Sequence, residues 1–383
     1  MEELKALLKK REEESSLRSL KPISSRICGR IVIKEKEYWD FSSNDYLALS
    51  EHPLLKGAGI RALEHFGSSS TASRLMTGDL ALHHELEERI ASFKKKEAAL
   101  VFNSGYQANT GIISALYAKG DAIFADRFSH ASIIDGILLS GAKLFRFRHN
   151  DAAHCESLLQ AHRKEFKKCL IVTETVFSMD GDEAPLRELV RLKEKYECSL
   201  MVDEAHATGI FGLRGSGIVE REGLEDDVEF VMGTFSKALG GFGAYLAASK
   251  DVISYLINTC RSFIYSTALP PAVIAINLAA LDVIQKEPGR RQELLSLVSD
   301  FRLALKKNKV KAKGVSQIVS VVTGDNFKTV QAAEALQKKG YWVLPIRPPT
   351  VPTGEARLRF SLTLHHKKDI LEKLADDILS IGI

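Results

Sequence analysis

The sequence lacks a C-x-x-C pair, and its five cysteines (Cys28, Cys155, Cys169, Cys198 and Cys260) are scattered and odd in number. That pattern argues against a structural zinc site or a disulfide framework and favours free thiols in a reducing compartment. No run approaches the roughly 18 apolar residues of a membrane span. The start, MEELKALLKKREEESSLRS, reads as a charged amphipathic helix with no apolar core of a secretory signal. Charge of one sign is also missing. The 53 Lys and Arg against 49 Asp and Glu leave a formal charge of +4, too little to argue for a nucleic-acid or membrane surface. There is no G-x-x-x-x-G-K-[ST] and no G-x-G-x-x-G after a strand, so neither a P-loop nor a dinucleotide fold has support. The expectation is a soluble, cytoplasmic protein.

What is present is ordinary globular material: 383 residues, 45% hydrophobic and 27% charged. At about 150 residues per domain, two domains are expected. Short apolar runs at 98–104, 121–127, 143–148, 169–177, 199–205, 230–236 and 244–249 read as strands. Helix-like stretches such as 185–197 fill most gaps. This rhythm predicts an α/β fold with a mostly parallel, buried central sheet. Beyond about residue 285 the texture changes to a smaller α+β pattern, with strand-like 341–346 and 358–363 and a last helix near 367–380. The expected division is an N-terminal arm over 1–45, a large domain over 46–285 and a small domain over 286–383.

Several polar residues sit where open α/β sheets place ligands, at the C-terminal ends of strands. The stretch VDEAH (202–206) suggests the box of a DEAH-type NTPase, but that reading needs the missing P-loop. A second reading joins Asp203 to Lys237, which follows the next predicted strand in GTFSKALGG. A lysine amine can form a Schiff base with an aldehyde, and an aspartate can keep a pyridine nitrogen protonated. These are the two groups that pyridoxal 5'-phosphate requires; taken singly, each is equally a surface charge. Gly105 and Tyr106 lie at a strand-to-helix turn that can hold phosphate on backbone amides. Thr234 and Ser236 offer hydroxyls beside the lysine, or helix caps. His130 can stack on a flat ring, His206 can donate to a ring oxygen, and Ser178 and Asp180 follow a strand. In IRPPTVPTGEARLRF, Arg357 and Arg359 alternate onto one strand face, where an arginine can grip a carboxylate.

Together these blocks resemble the α-oxoamine synthases, fold-type-I, pyridoxal-phosphate-dependent acyltransferases. The resemblance runs in order from FSSNDYLALS (41–50) through FNSGYQAN, DRFSHASIIDG, ETVFSMDGD, VDEAHATGIFG and GTFSKALGG to IYSTALPP (264–271) and RPPTVPTGEARLR. It implies a large domain with a mostly parallel sheet and a smaller C-terminal α+β domain. It also implies roles: Lys237, His130 and Asp203 catalytic, with Gly105, Tyr106, Ser178, His206 and Thr234 completing the cofactor site. Arg18, Asn44, Thr350 and Arg359 would bind substrate. No metal is implied. The IRPPTVP loop and short N-terminal arm are most similar to the biotin-pathway branch, which joins L-alanine to a pimeloyl thioester of coenzyme A or acyl carrier protein. Sister activities using glycine or serine with other acyl donors share most blocks, and a fold-type-I aminotransferase is a further alternative. Segment 264–271 matches a family dimer interface, implying a homodimer. One block departs: GSSSTASRLMTGD (67–79) carries serine and threonine where the family is rich in glycine.

Overall fold

In the computed structural model, which describes residues 2–383, the chain opens with an exposed helix over Glu2–Glu13. Three short antiparallel strands follow: β1 (Ser25–Ile27), β2 (Arg30–Ile33) and β3 (Lys36–Asp40). The chain then enters the larger of two compact units, formed by residues 49–177 and 183–291. Its seven strands are β4 (Ala98–Phe102), β5 (Ala122–Asp126), β6 (Lys143–Phe147), β7 (Cys169–Glu174), β8 (Ser199–Asp203), β9 (Phe230–Thr234) and β10 (Ala244–Ala248).

These strands form one sheet in the order β4-β10-β9-β8-β7-β5-β6. β10 is antiparallel to both neighbours, and every other pairing is parallel. All residues of β5, β7, β9 and β10 are buried. That is why they read as continuous apolar runs: a parallel sheet covered by helices hides both faces. Edge strand β6 shows a mixed pattern. The order places β7, β8 and β9 side by side, so Glu174, Asp203 and Thr234 end neighbouring parallel strands. Ser104 caps the helix Gly105–Leu116 by accepting from the Gln107 amide at 3.2 Å.

The other unit contains residues 2–48, 178–182 and 292–383. Its remaining strands are β11 (Ala312–Lys313), β12 (Ile318–Gly324), β13 (Tyr341–Trp342), β14 (Pro345–Ile346) and β15 (Ala356–Ser361). They build the sheets β1-β2-β3-β13 and β11-β12-β15-β14. The closing helix Lys368–Ser380 buries Leu371, Leu374, Ala375 and Ile378, one stripe at helical spacing.

These units depart from the expected boundaries. Residues 1–45 were expected as a separate arm, but β3 pairs in parallel with β13, joining the described part of that segment to the C-terminal residues. Residues 178–182 leave the large unit because Gly181 accepts hydrogen bonds from the Val315 amide and the Ser316 hydroxyl. The expected single strand at 341–346 is two, β13 and β14, each serving a different sheet. Among the described residues no helix is long and apolar enough to cross a membrane.

Candidate active site

Asp203 ends β8 and is buried, and its two oxygens are fixed separately. Oδ1 accepts from the Ala205 amide at 2.9 Å. Oδ2 accepts from Asn109 Nδ2 at 2.9 Å, and the same amide group donates to Ser132 Oγ at 3.0 Å. Asn109 therefore orients the carboxylate from the neighbouring helix Gly105–Leu116. Sequence reasoning missed Asn109. Its signal was a polar residue on the helix face that also carries Ala108, Ile112 and Ile113, all buried.

Lys237 lies half-buried in the turn after β9. The turn is pinned by backbone bonds from Gly240 to the Lys237 carbonyl and from Gly241 to the Phe235 carbonyl, both 2.9 Å. Gly240 has φ +64°, and a Cβ there would stand 2.5 Å from the Ser50 amide nitrogen. Only glycine meets both the left-handed backbone and the close approach. The ammonium of Lys237 and the carboxylate of Asp203 both act on His130 and Glu174, so the four groups share one electrostatic neighbourhood.

His130 caps the helix Ala131–Ser140 through Nδ1, which accepts from the Ser132 amide at 3.2 Å. Its residue surface is exposed, yet the surrounding protein desolvates the ring and pulls its pKa below the ordinary histidine value. Lys237 acts in the same direction, while Asp203 and Asp135 oppose it. His130 at pH 7 is therefore a neutral ring with an open surface. His206 is buried, three residues beyond Asp203.

Gly105 starts its helix against the end of β9. A Cβ at Gly105 would meet Thr234 Cγ2 at 2.9 Å and Met232 Cε at 3.3 Å. The Thr234 hydroxyl is buried there with no hydrogen-bond partner among the described residues. A helix N-terminus beside an unsatisfied hydroxyl suits a phosphate. The exposed Tyr106 donates its hydroxyl to Asp135 Oδ2. With the neutral ring of His130 and the fixed carboxylate of Asp203, these groups fit pyridoxal phosphate: an anion cradle, a stacking surface, a pyridine partner and an amine.

Glu174 ends β7 in register with Asp203 and is also buried. Burial, then the charge of Asp203, raises its pKa well above the ordinary glutamate value. Of these two adjacent carboxyls, Asp203 is the one held by two donors, the Ala205 amide and the Asn109 side chain. Glu204, the second residue of VDEAH, has a different fate. Its Oε2 accepts from buried Lys94 Nζ at 2.8 Å and its Oε1 from the Val219 amide at 3.0 Å. Its charge is spent inside the fold, which removes the basis for reading the motif as an NTPase box.

In the other unit, Arg359 on β15 is buried and donates only to neutral oxygens. Nε reaches the Ser178 carbonyl at 2.5 Å, Nη1 reaches Ser361 Oγ at 2.6 Å, and Nη2 makes long contacts to Asn44 Oδ1 (3.3 Å) and Tyr46 OH (3.4 Å). Arg357, two residues earlier, is paired with Asp180 and with Glu355. The structure thus separates two arginines that the sequence treats alike, and gathers Ser178, Asn44 and Arg359. It also joins Arg18 to Thr350, with Arg18 Nη2 donating to Thr350 Oγ1 at 2.7 Å. The block at 67–79 and the segment 264–271 are tied together: the Ser70 hydroxyl donates to the Leu269 carbonyl at 2.6 Å, and Ser73 bridges to Thr267. A buried hydroxyl with a partner is what glycine could not supply at position 70.

Comparisons with known proteins agree with this chemistry. The family model described as aminotransferase class I and II matches residues 36–378. The 8-amino-7-oxononanoate synthase of Geotalea daltonii is 47% identical over 95% of this chain and 94% of its own. A serine palmitoyltransferase from S. paucimobilis, solved with a bound PLP–myriocin aldimine, superposes with a TM-score of 0.93 at 32% identity, covering 99% of this chain and 96% of that one. The 8-amino-7-oxononanoate synthase of Francisella tularensis superposes with a TM-score of 0.78 at 30% identity, covering 89% and 96%.

Proposed function

The chain belongs to the aminotransferase class I and II family, and from that premise we propose that it acts as an 8-amino-7-oxononanoate synthase in biotin biosynthesis. The reaction joins L-alanine to a pimeloyl thioester, with loss of carbon dioxide and of the thiol carrier. The enzyme is a pyridoxal-phosphate-dependent acyltransferase of fold type I. The observation that carries the reading is the shared end of β8 and β9, where Asp203 is locked by Asn109 beside the Lys237 turn. The choice among sister activities is supported by 46–47% identity, over nearly the whole chain, to several relatives of that name.

Pyridoxal phosphate supplies an aldehyde that links to amines and a ring that accepts an electron pair from the α-carbon. Lys237 would hold that aldehyde at rest. Its amine would take the α-proton of bound L-alanine and later return one. Asp203 would keep the proton on the pyridine nitrogen. His130 would cover the ring, and His206 and Ser178 would serve its phenolic oxygen. The amides of Gly105 and Tyr106 and the Thr234 hydroxyl would take the phosphate. Arg359 grips the alanine carboxylate, with Asn44 beside it, and Arg18 and Thr350 meet the acyl substrate. The carrier is coenzyme A or acyl carrier protein. A second copy of the chain docks along 264–271 to form a homodimer, and the reaction runs in the cytoplasm.

Purified holoenzyme offered L-alanine with a pimeloyl thioester should turn over faster than with glycine or L-serine paired to acetyl, succinyl or palmitoyl thioesters. Faster turnover with any of those pairs, or with a keto acid and no thioester, overturns the assignment. Borohydride should fix the cofactor to Lys237, and Lys237→Ala should abolish that label.

A further inference from the structure

Cys169 opens β7, and Cys198 immediately precedes β8. The parallel ladder pairs Leu170 with Ser199, so one step back along both strands sets Cys169 opposite Cys198. Neighbouring strands lie about 4.8 Å apart, inside the Cα separation of roughly 4.4–6.8 Å that a disulfide spans. Residues at one level of a ladder also send their side chains to the same face. Both cysteines are free thiols.

Arg163 completes this cluster. Its Nε donates to the Tyr196 carbonyl at 2.7 Å and its Nη2 to the Glu197 carbonyl at 2.9 Å. Cys198 Sγ also donates to the Tyr196 carbonyl, and Cys169 Sγ to the carbonyl of Arg163 itself. The neighbouring Cys198 thiol, with the Arg163 charge acting the same way, holds the Cys169 thiol below its ordinary value. The neighbouring Cys169 sulfur, together with burial, pushes the Cys198 thiol up. With the Arg163 cation beside it, Cys169 is the sulfur favoured as nucleophile, and Cys198, one ladder step across, is placed to resolve it. The cluster sits at the opposite ends of β7 and β8 from Glu174 and Asp203, so it depends on neither Lys237 nor the cofactor.

We propose that Cys169 and Cys198 form a dithiol site that a hydroperoxide oxidises to an intramolecular disulfide between β7 and β8. The Cys169 thiolate attacks one oxygen of hydrogen peroxide, the O–O bond breaks, and water leaves behind a sulfenic acid. The Cys198 sulfur then attacks the Cys169 sulfur. An S–S bond forms, the S–O bond breaks, and the departing hydroxide takes the Cys198 proton as a second water. Two thiols lose two electrons and two protons, and one peroxide becomes two waters.

The test uses holoenzyme carrying Cys28→Ser, since Cys28 is the one exposed cysteine and would react by itself. After hydrogen peroxide, two of the four remaining thiols should vanish on titration of the unfolded protein. The intact mass should fall by about 2 Da and a peptide pair joining residues 169 and 198 should appear, both reversed by dithiothreitol. With Cys198→Ser added, the link should be lost and dimedone should label Cys169. Survival of all four thiols at peroxide levels that fully oxidise Cys28 in the unmodified chain would overturn the proposal. So would conversion of either cysteine to sulfinic acid without the link.

Discussion

Arg359→Lys isolates what the unpaired guanidinium does. An arginine has five N–H donors, and here every acceptor they reach is a neutral oxygen, two of them at 3.3 and 3.4 Å. No carboxylate lies within ion-pair distance of Arg359 among the described residues, although the side chain is buried. A buried cation without a counter-ion is costly, and an incoming carboxylate offsets that cost. Lysine keeps the charge but loses the planar fork, so one charge-assisted hydrogen bond to the substrate is forfeited. Such a bond is worth about 1.5–3 kcal/mol, which corresponds to roughly 10- to 150-fold weaker binding of L-alanine. The assay is a titration of holoenzyme with L-alanine, followed by the absorbance of the bound cofactor. Arg357→Lys is the matched control. Arg357 already holds Asp180 and Glu355, so its loss should lower unfolding stability and leave alanine affinity within about twofold. Equal affinity of Arg359→Lys and unmodified enzyme, or equal weakening by both substitutions, would refute the reasoning.

Lys94→Met strands the buried Glu204 charge and should cost about 3–5 kcal/mol of unfolding free energy, measured in urea, while Lys94→Met with Glu204→Gln recovers most of it. Asn109→Ala removes the donor to Asp203 Oδ2, so cofactor dissociation, followed by dialysis and fluorescence, should be faster by roughly 5- to 20-fold, as expected for about 1–1.8 kcal/mol. The folded pKa values of His83, held at about 4, and His366, held at about 3, lie below the unfolded value near 6.5, because burial opposes the imidazolium. The unfolded chain therefore binds more protons in that window, and stability should fall as pH drops from about 6.5 toward 3. Replacing His366 by Gln should flatten that slope in denaturation midpoints measured across the range.

The central sheet was legible because most of its strands are buried on both faces. Their apolar runs need no periodicity to be seen, and the observed strands lie within the runs read at 98–104 through 244–249. The short strands β1 to β3 were not legible. β1 is exposed throughout, and its neighbours mix charged and apolar residues without a long run. The pairing of β3 with β13 joins positions about 300 residues apart, a relation that no local pattern carries.

The same distinction runs through the candidate site. Asp203, Lys237 and Thr234 could be found because each stands at the end of an apolar run, where strand order alone exposes a side chain to a ligand. Asn109, Glu174 and Lys94 could not, since their importance lies in what they touch. Glu174 matters because the ladder sets it beside Asp203, and Lys94 because it neutralises Glu204 from 110 positions away. Arg357 and Arg359 make the argument sharpest. They share a strand, a face and a charge. Asp180, 177 positions from Arg357, takes one of them out of service and leaves the other with its charge unspent. A motif that offers two arginines becomes a carboxylate site with one only when the fold supplies the aspartate, so substituting Asp180 by Asn should leave Arg357 without its buried partner and give a second candidate cation two residues from Arg359. If alanine then binds no differently, the selectivity of the site resides in the position of Arg359 itself rather than in the silencing of its neighbour.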